Sequence, residues 1–87
     1  MMKNNLKALY HEEVKVLKSE GFDTFYNKMS RIKKGYSISK NWETFYKEVG
    51  SIRYIYNINS SIKGVHIRVE DIDDGNSVSN THIINAF

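Results

Sequence analysis

Trp42-Glu43-Thr44-Phe45-Tyr46-Lys47-Glu48-Val49-Gly50 runs directly into Ser51-Ile52-Arg53-Tyr54-Ile55-Tyr56-Asn57-Ile58, and the reading of this junction decides the fold. Ile38, four residues upstream, and Trp42, Phe45 and Val49 of the first segment recur at steps of three and four, the spacing of one helical face. Gly50 then stands where a helix would stop. This spacing predicts a helix over about 40–49, capped by Ser39 or Asn41, with Trp42 and Phe45 in the core. In the second segment the period changes to two. Ile52, Tyr54, Tyr56 and Ile58 alternate with Arg53, Ile55 and Asn57, which predicts a strand over 51–58. Residues 51–57 also fit a helix, because Ile52, Ile55 and Tyr56 are spaced by three and four. The β-branched and aromatic density favours the strand.

Downstream, Asn59–Gly64 suits a hairpin loop. Val65, Ile67 and Val69 alternate with His66, Arg68 and Glu70, so a second strand is expected over 65–72. Asp73-Asp74-Gly75-Asn76 is a turn signal, and a third strand is expected over 77–84. Upstream, Leu6, Leu9, Tyr10, Val14 and Leu17 share one helical face; Asn4 or Asn5 suits the cap, and Gly21 suits a left-handed stop. A second stripe, Phe22, Phe25, Met29 and Ile32 with Tyr26 beside it, follows Asp23 as a predicted N-cap. The helices are therefore placed at 5–20, 23–34 and 40–49. The expected fold is α+β: one domain over residues 1–87, with two to three helices packed on a small antiparallel sheet of two to three strands.

Eighty-seven residues support one modest core, with a stability of roughly 5–10 kcal/mol. There is no cysteine, hence no disulfide framework and no thiolate metal site. The first residues carry no apolar signal-peptide core, and no apolar run approaches the ~20 residues of a membrane span. The expectation is a cytoplasmic protein, in the host cytoplasm if phage-encoded, with no membrane partner. The chain is rich in Ile, Asn, Lys and Tyr and has no Pro, a usage associated with AT-rich genomes and with phage and mobile-element proteins.

The net charge of +3 is unevenly spread. Residues 1–35 hold eight Lys/Arg against four Asp/Glu, whereas residues 65–87 hold Arg68 against Glu70, Asp71, Asp73 and Asp74. The densest basic cluster is Lys28, Arg31, Lys33 and Lys34, placed by the helix reading in a last turn where the helix dipole favours cations. A basic half admits a nucleic-acid partner as well as simple solvation.

Motifs for catalysis are not found. His11-Glu12-Glu13 lacks the second His of a zinc-protease helix, since position 15 is Lys. Aligning Gly75 with the invariant glycine of a calcium loop puts Ile72 at a ligand position, which it cannot fill. His11, His66 and His82 lack metal-site spacing, although His66 and His82 are placed to face each other across the last two strands. No Gly-rich phosphate loop or nucleophile elbow occurs. The chain is thus expected to be non-enzymatic, with no cofactor, no metal and no catalytic residues.

Two binding readings remain. Tyr10, Tyr26, Tyr36 and Tyr46 exceed what the core stripes require, and surplus tyrosines suit a protein interface. The leading expectation is a small binding protein of phage or mobile-element type, an inhibitor that occludes a host protein or nucleoprotein complex such as a defence nuclease. The alternative is a winged-helix-like DNA-binding regulator, whose third helix and wing would use Ser39, Lys40, Asn41, Thr44, Lys47 and Lys63. Tyr54 and Tyr56 as a base-stacking platform are set aside, because Ile52 and Ile58 make their face read as core. The candidate partner-contacting residues are Lys28, Arg31, Lys33, Lys34, Tyr36, Lys40, Asn41, Tyr46, Lys47 and Lys63. The last strand, nearly uncharged, is an edge unless paired, and a homodimer through it is one expected solution.

Overall fold

A computed structural model describes residues 5–35 and 41–84, and within them two helices precede five antiparallel strands. The α+β class holds, with a larger sheet than the two to three strands expected. Helix α1 spans Leu6–Glu20, and the Asn5 side chain accepts the Ala8 N–H at 3.1 Å, closing the exposed start. Gly21 adopts φ 85°, ψ 166°, a region essentially restricted to glycine. It serves two helices at once. Its N–H donates to Leu17 O at 3.0 Å, and its carbonyl accepts the Phe25 N–H at 3.2 Å. Helix α2 therefore starts at Phe22 and runs to Met29. The cap is Gly21, and Asp23 sits in the first turn, where the dipole still favours its charge.

The second helix also ends earlier than expected. Arg31 and Ile32 donate to Lys28 O and Met29 O, an i→i+3 pattern that tightens the chain out of the helix. Lys33–Lys34 then form a short strand, β1, rather than a last helical turn.

The largest correction concerns the predicted third helix. Glu43–Val49 is strand β2, paired antiparallel with β3, Ile52–Asn59. Thr44, Phe45, Tyr46 and Val49 all fit a pleated surface, and the segment has both a three-four and a two-residue pattern. The Gly50-Ser51 linkage decides between them. Gly50 takes φ 62° as the first residue of a two-residue hairpin turn, a geometry that reverses the chain onto itself. The pairing then sets Glu48 against Arg53, Phe45 against Tyr56 and Tyr46 against Ile55. Strand β4, Gly64–Asp71, and strand β5, Ser77–Ile83, complete a meander in the order β1-β2-β3-β4-β5. Among the described residues there is no third helix of the kind the winged-helix reading places at 40–49.

Both helices cover one face of the sheet. The core joins Leu6, Tyr10, Val14 and Leu17 of α1, and Phe22, Phe25 and Met29 of α2, to Phe45, Ile52, Tyr54, Tyr56, Ile58, Val65, Ile67 and Val69. Phe25 meets Tyr56 edge-on at 5.7 Å. The buried Tyr56 hydroxyl donates to Glu13 of α1 at 2.6 Å, which satisfies a polar atom that the layer contact would otherwise strand. Phe45 is core as expected, but Trp42 is only half-buried, since alternation along the chain turns it to the face opposite Phe45. Val49 shares the face of Phe45 but stands beside the hairpin turn at the end of β2, and it is 62% exposed.

Candidate functional site

The face of the sheet away from the helices is built by the complementary positions. Register places Thr44, Asn57, His66 and Thr81 in one row. Tyr46, Ile55, Arg68 and Ser79 form the next, and Glu48, Arg53, Glu70 and Ser77 the third. No helix lies over these rows among the described residues. Antiparallel sheets commonly leave one such face to solvent, and the side chains here are accordingly polar, with Tyr46 and Ile55 as the apolar centre.

The rows are tied together by side-chain bonds. Arg53 donates to Glu48 at 2.8 Å and to Glu70 at 3.2 Å, and Arg68 donates to the other Glu70 oxygen at 3.1 Å. Two cations and two carboxylates thus alternate, and the network is charge-balanced. Thr44 donates to Asn57 at 2.6 Å, and His66 Nδ1 lies 2.7 Å from the Thr81 hydroxyl. Burial, reinforced by the Arg68 charge, holds the His66 pKa below the usual imidazole value.

Between β2 and β3 this face is concave. An open groove of about 730 Å³ has Tyr46 and Ile55 on its floor, Glu48 and Arg53 at one end, Thr44 and Asn57 at the other, and Lys34 and Gly35 along the rim. Its size falls in the range that accommodates a small ligand or a few residues of a partner. Polar groups surround a small apolar centre, an arrangement suited to recognition by shape and hydrogen bonding.

Of the residues the sequence singled out, the structure gathers Lys34 and Tyr46 at this groove, with Lys33 nearby over the Tyr46 ring at 5.5 Å. Lys34 also pairs with Glu43 at 3.3 Å. The others are dispersed. Lys28 pairs with Glu20 between the helices at 2.8 Å. Lys47 lies on the helix side, over the Tyr54 ring at 4.9 Å, and Lys63 approaches Asp23 at 3.5 Å and the Phe22 ring at 5.1 Å. Arg31 and Asn41 are exposed in turns. Tyr36 and Lys40 lie outside the described residues, as does Ser39. The surplus tyrosines divide as well: Tyr10 is buried, and Tyr26 is half-buried and donates to Glu43 at 2.6 Å, leaving Tyr46 to line the groove.

His66 and His82 do not face each other. Their registers differ by one position, with His66 opposite Thr81 and His82 opposite Val65, so they occupy opposite faces. His82 Nε2 instead meets the Tyr10 hydroxyl at 2.6 Å. In the acidic turn, the buried Asp71 accepts the N–H groups of Asp73 and Asp74, as an Asx turn does.

Ile55, Asn57, Arg53 and Arg68 were absent from the sequence-derived candidates. Their signal was present, since the period of two already assigned Arg53, Ile55 and Asn57 to the face opposite Tyr54 and Tyr56. The concavity depends on β2 being a strand, which the helical spacing concealed. Comparison with protein-family models, curated proteins and solved structures finds no match. No helix among the described residues is long and apolar enough to cross a membrane.

Proposed function

We propose that this chain is a small non-enzymatic binding protein whose partner seats on the open face of the sheet, centred on the Tyr46–Ile55 groove. The observation that carries the reading is the division of the sheet: one face is packed under helices, and the other is concave, polar-aromatic and uncovered among the described residues. The side chains on that face are mutually hydrogen-bonded, so they form a preorganised surface that loses little freedom on binding. At its rim Lys33 lies over the Tyr46 ring, while the Lys34 ammonium is paired with Glu43. The composition and small size suit an inhibitor of phage or mobile-element type, occluding a host protein or nucleoprotein complex such as a defence nuclease.

The test uses host-cell lysate and three immobilised baits: the natural chain, an Ile55→Glu variant and a Lys15→Glu variant. Ile55→Glu places a charge on the groove floor, while Lys15 is exposed on α1. The expected result is a discrete protein retained by the natural chain and by Lys15→Glu and lost with Ile55→Glu, with all three baits giving the same far-ultraviolet circular dichroism. Equal retention by the groove variant would overturn the reading. Recovery of nucleic acid alone would also count against it.

A further inference from the structure

The two edges of the sheet differ. One edge is the two-residue β1, Lys33–Lys34, short and basic, a form that discourages strand addition. The other is β5, seven residues long, Ser77-Val78-Ser79-Asn80-Thr81-His82-Ile83, with no Lys, Arg, Asp, Glu or Pro. The Ile84 N–H donates to Lys63 O at 2.9 Å, which makes that pair a hydrogen-bonded one. By antiparallel alternation Val78, Asn80 and His82 then turn their backbone groups inward to β4, and Ser77, Ser79, Thr81 and Ile83 turn theirs outward. The Thr81 N–H is met by the Asn80 side chain at 2.8 Å, a local contact that a rotamer change releases. Among the described residues no strand faces the others.

Helix α1 lies above this edge and sorts its charges by side. Toward α2 and β3 it carries Glu13, bonded to Tyr56, and Glu20, bonded to Lys28. Lys7, His11 and Lys18, at steps of four and seven, share the opposite flank, on the side of Tyr10 that meets His82. All three are exposed. An incoming strand would lie about 4.8 Å beyond β5, with its helix-side residues beneath the Lys7 and Lys18 ammonium groups and the His11 ring between them.

We propose that β5 is a strand-addition site for an extended acidic segment of a partner protein. The outward backbone groups supply the main-chain bonds, and Lys7 and Lys18 on the α1 flank select carboxylates at alternate positions. A second copy of this chain is disfavoured on the same grounds. Antiparallel pairing of β5 with itself about Asn80 would keep both helix layers on one side and bring two basic flanks together. The site is separate from the groove, which lies across β2 and β3.

The probes are fluorescein-labelled, end-blocked nonapeptides of alternating Thr and Glu, and the same peptide with Lys for Glu. Binding is read by anisotropy, and the location by amide chemical shifts of the natural full-length chain. The Glu peptide should bind and shift the Ser77, Ser79, Thr81 and Ile83 amides, and the Lys peptide should bind at least tenfold more weakly. Ser79→Pro removes an outward donor without touching the inward ladder and should abolish binding. The double variant Lys7→Glu/Lys18→Glu leaves the strand intact and should weaken the Glu peptide at least tenfold. An absence of binding, equal affinity for the two peptides, or shifts confined to the groove would overturn the proposal. So would sedimentation showing that the chain is a dimer that Ser79→Pro converts to a monomer, since a second copy would then own the edge. The groove variant Ile55→Glu should leave peptide affinity within twofold, which keeps this outcome distinct from that of the groove.

Discussion

At the scale of single residues, His82 shows how one side chain couples the layers to pH. It bridges β5 to α1 through Tyr10, at 2.6 Å. Burial, with the nearby Lys18 and His66 charges adding to it, holds its pKa below the ordinary imidazole value, and His66 is shifted in the same direction. Above the unfolded value of about 6.5, folded and unfolded chains both hold neutral imidazoles, and stability is at its full value. As the pH falls through that value toward the lower folded pKa, the unfolded chain takes up protons first and stability declines; below the folded pKa the decline stops. Thermal melts from about pH 7.5 to about pH 5 should therefore show a falling midpoint. His82→Gln should flatten the part of that fall due to His82. An unchanged slope in the variant would show that the Tyr10–His82 contact carries no proton linkage.

At the scale of elements, the turns set the strand order, and they can be tested separately from the side chains they carry. Lys63, the last residue before β4, takes φ 52° in the left-handed region, which costs an ordinary residue about 1–2 kcal/mol relative to glycine. Its side chain also reaches Asp23 and the Phe22 ring. Lys63→Ala and Lys63→Gly both lose those contacts, so their difference reports the backbone alone. The glycine variant should be more stable by about 1 kcal/mol, roughly 4–8 °C in melting temperature for a domain of this size. Equal midpoints would mean that the turn relaxes out of the left-handed region. The same turns explain which elements were legible in the sequence. Strands β3, β4 and β5 were readable from their alternation and from turns that contain Asn, Gly or paired Asp, although in β3 the β-branched and aromatic density had to decide against a competing three-four spacing. Strand β2 was not, because Trp42, Phe45 and Val49 fit a helical face, and Gly50 suits a helix stop as well as a hairpin turn. Gly50-Ser51 between two apolar runs is a two-residue hairpin signal that outweighs the spacing. Misreading β2 also hid the groove, whose walls are two paired strands.

At the scale of the whole molecule, the positive charge belongs to particular surfaces and not to the open face. Glu48, Arg53, Glu70 and Arg68 alternate there in a balanced network, whereas Lys7 and Lys18 give α1 a one-sign flank above β5. Salt acts on the two differently. A partner held in the groove meets this balanced network, with Lys33 at the rim and Lys34 paired with Glu43, so screening removes little of its binding energy. A partner beneath the α1 flank gains from long-range attraction that weakens as the Debye length falls from about 14 Å at 50 mM to about 6 Å at 300 mM salt. The affinity of a protein partner lost with Ile55→Glu should therefore change by less than about threefold over that range, while the acidic nonapeptide should weaken by about tenfold or more. Random duplex DNA provides the limiting comparison, since phosphate binding through released counterions falls much more steeply with salt. A groove partner whose affinity tracked salt as steeply as the peptide would show that the binding surface lies on the basic flank and not on the balanced face.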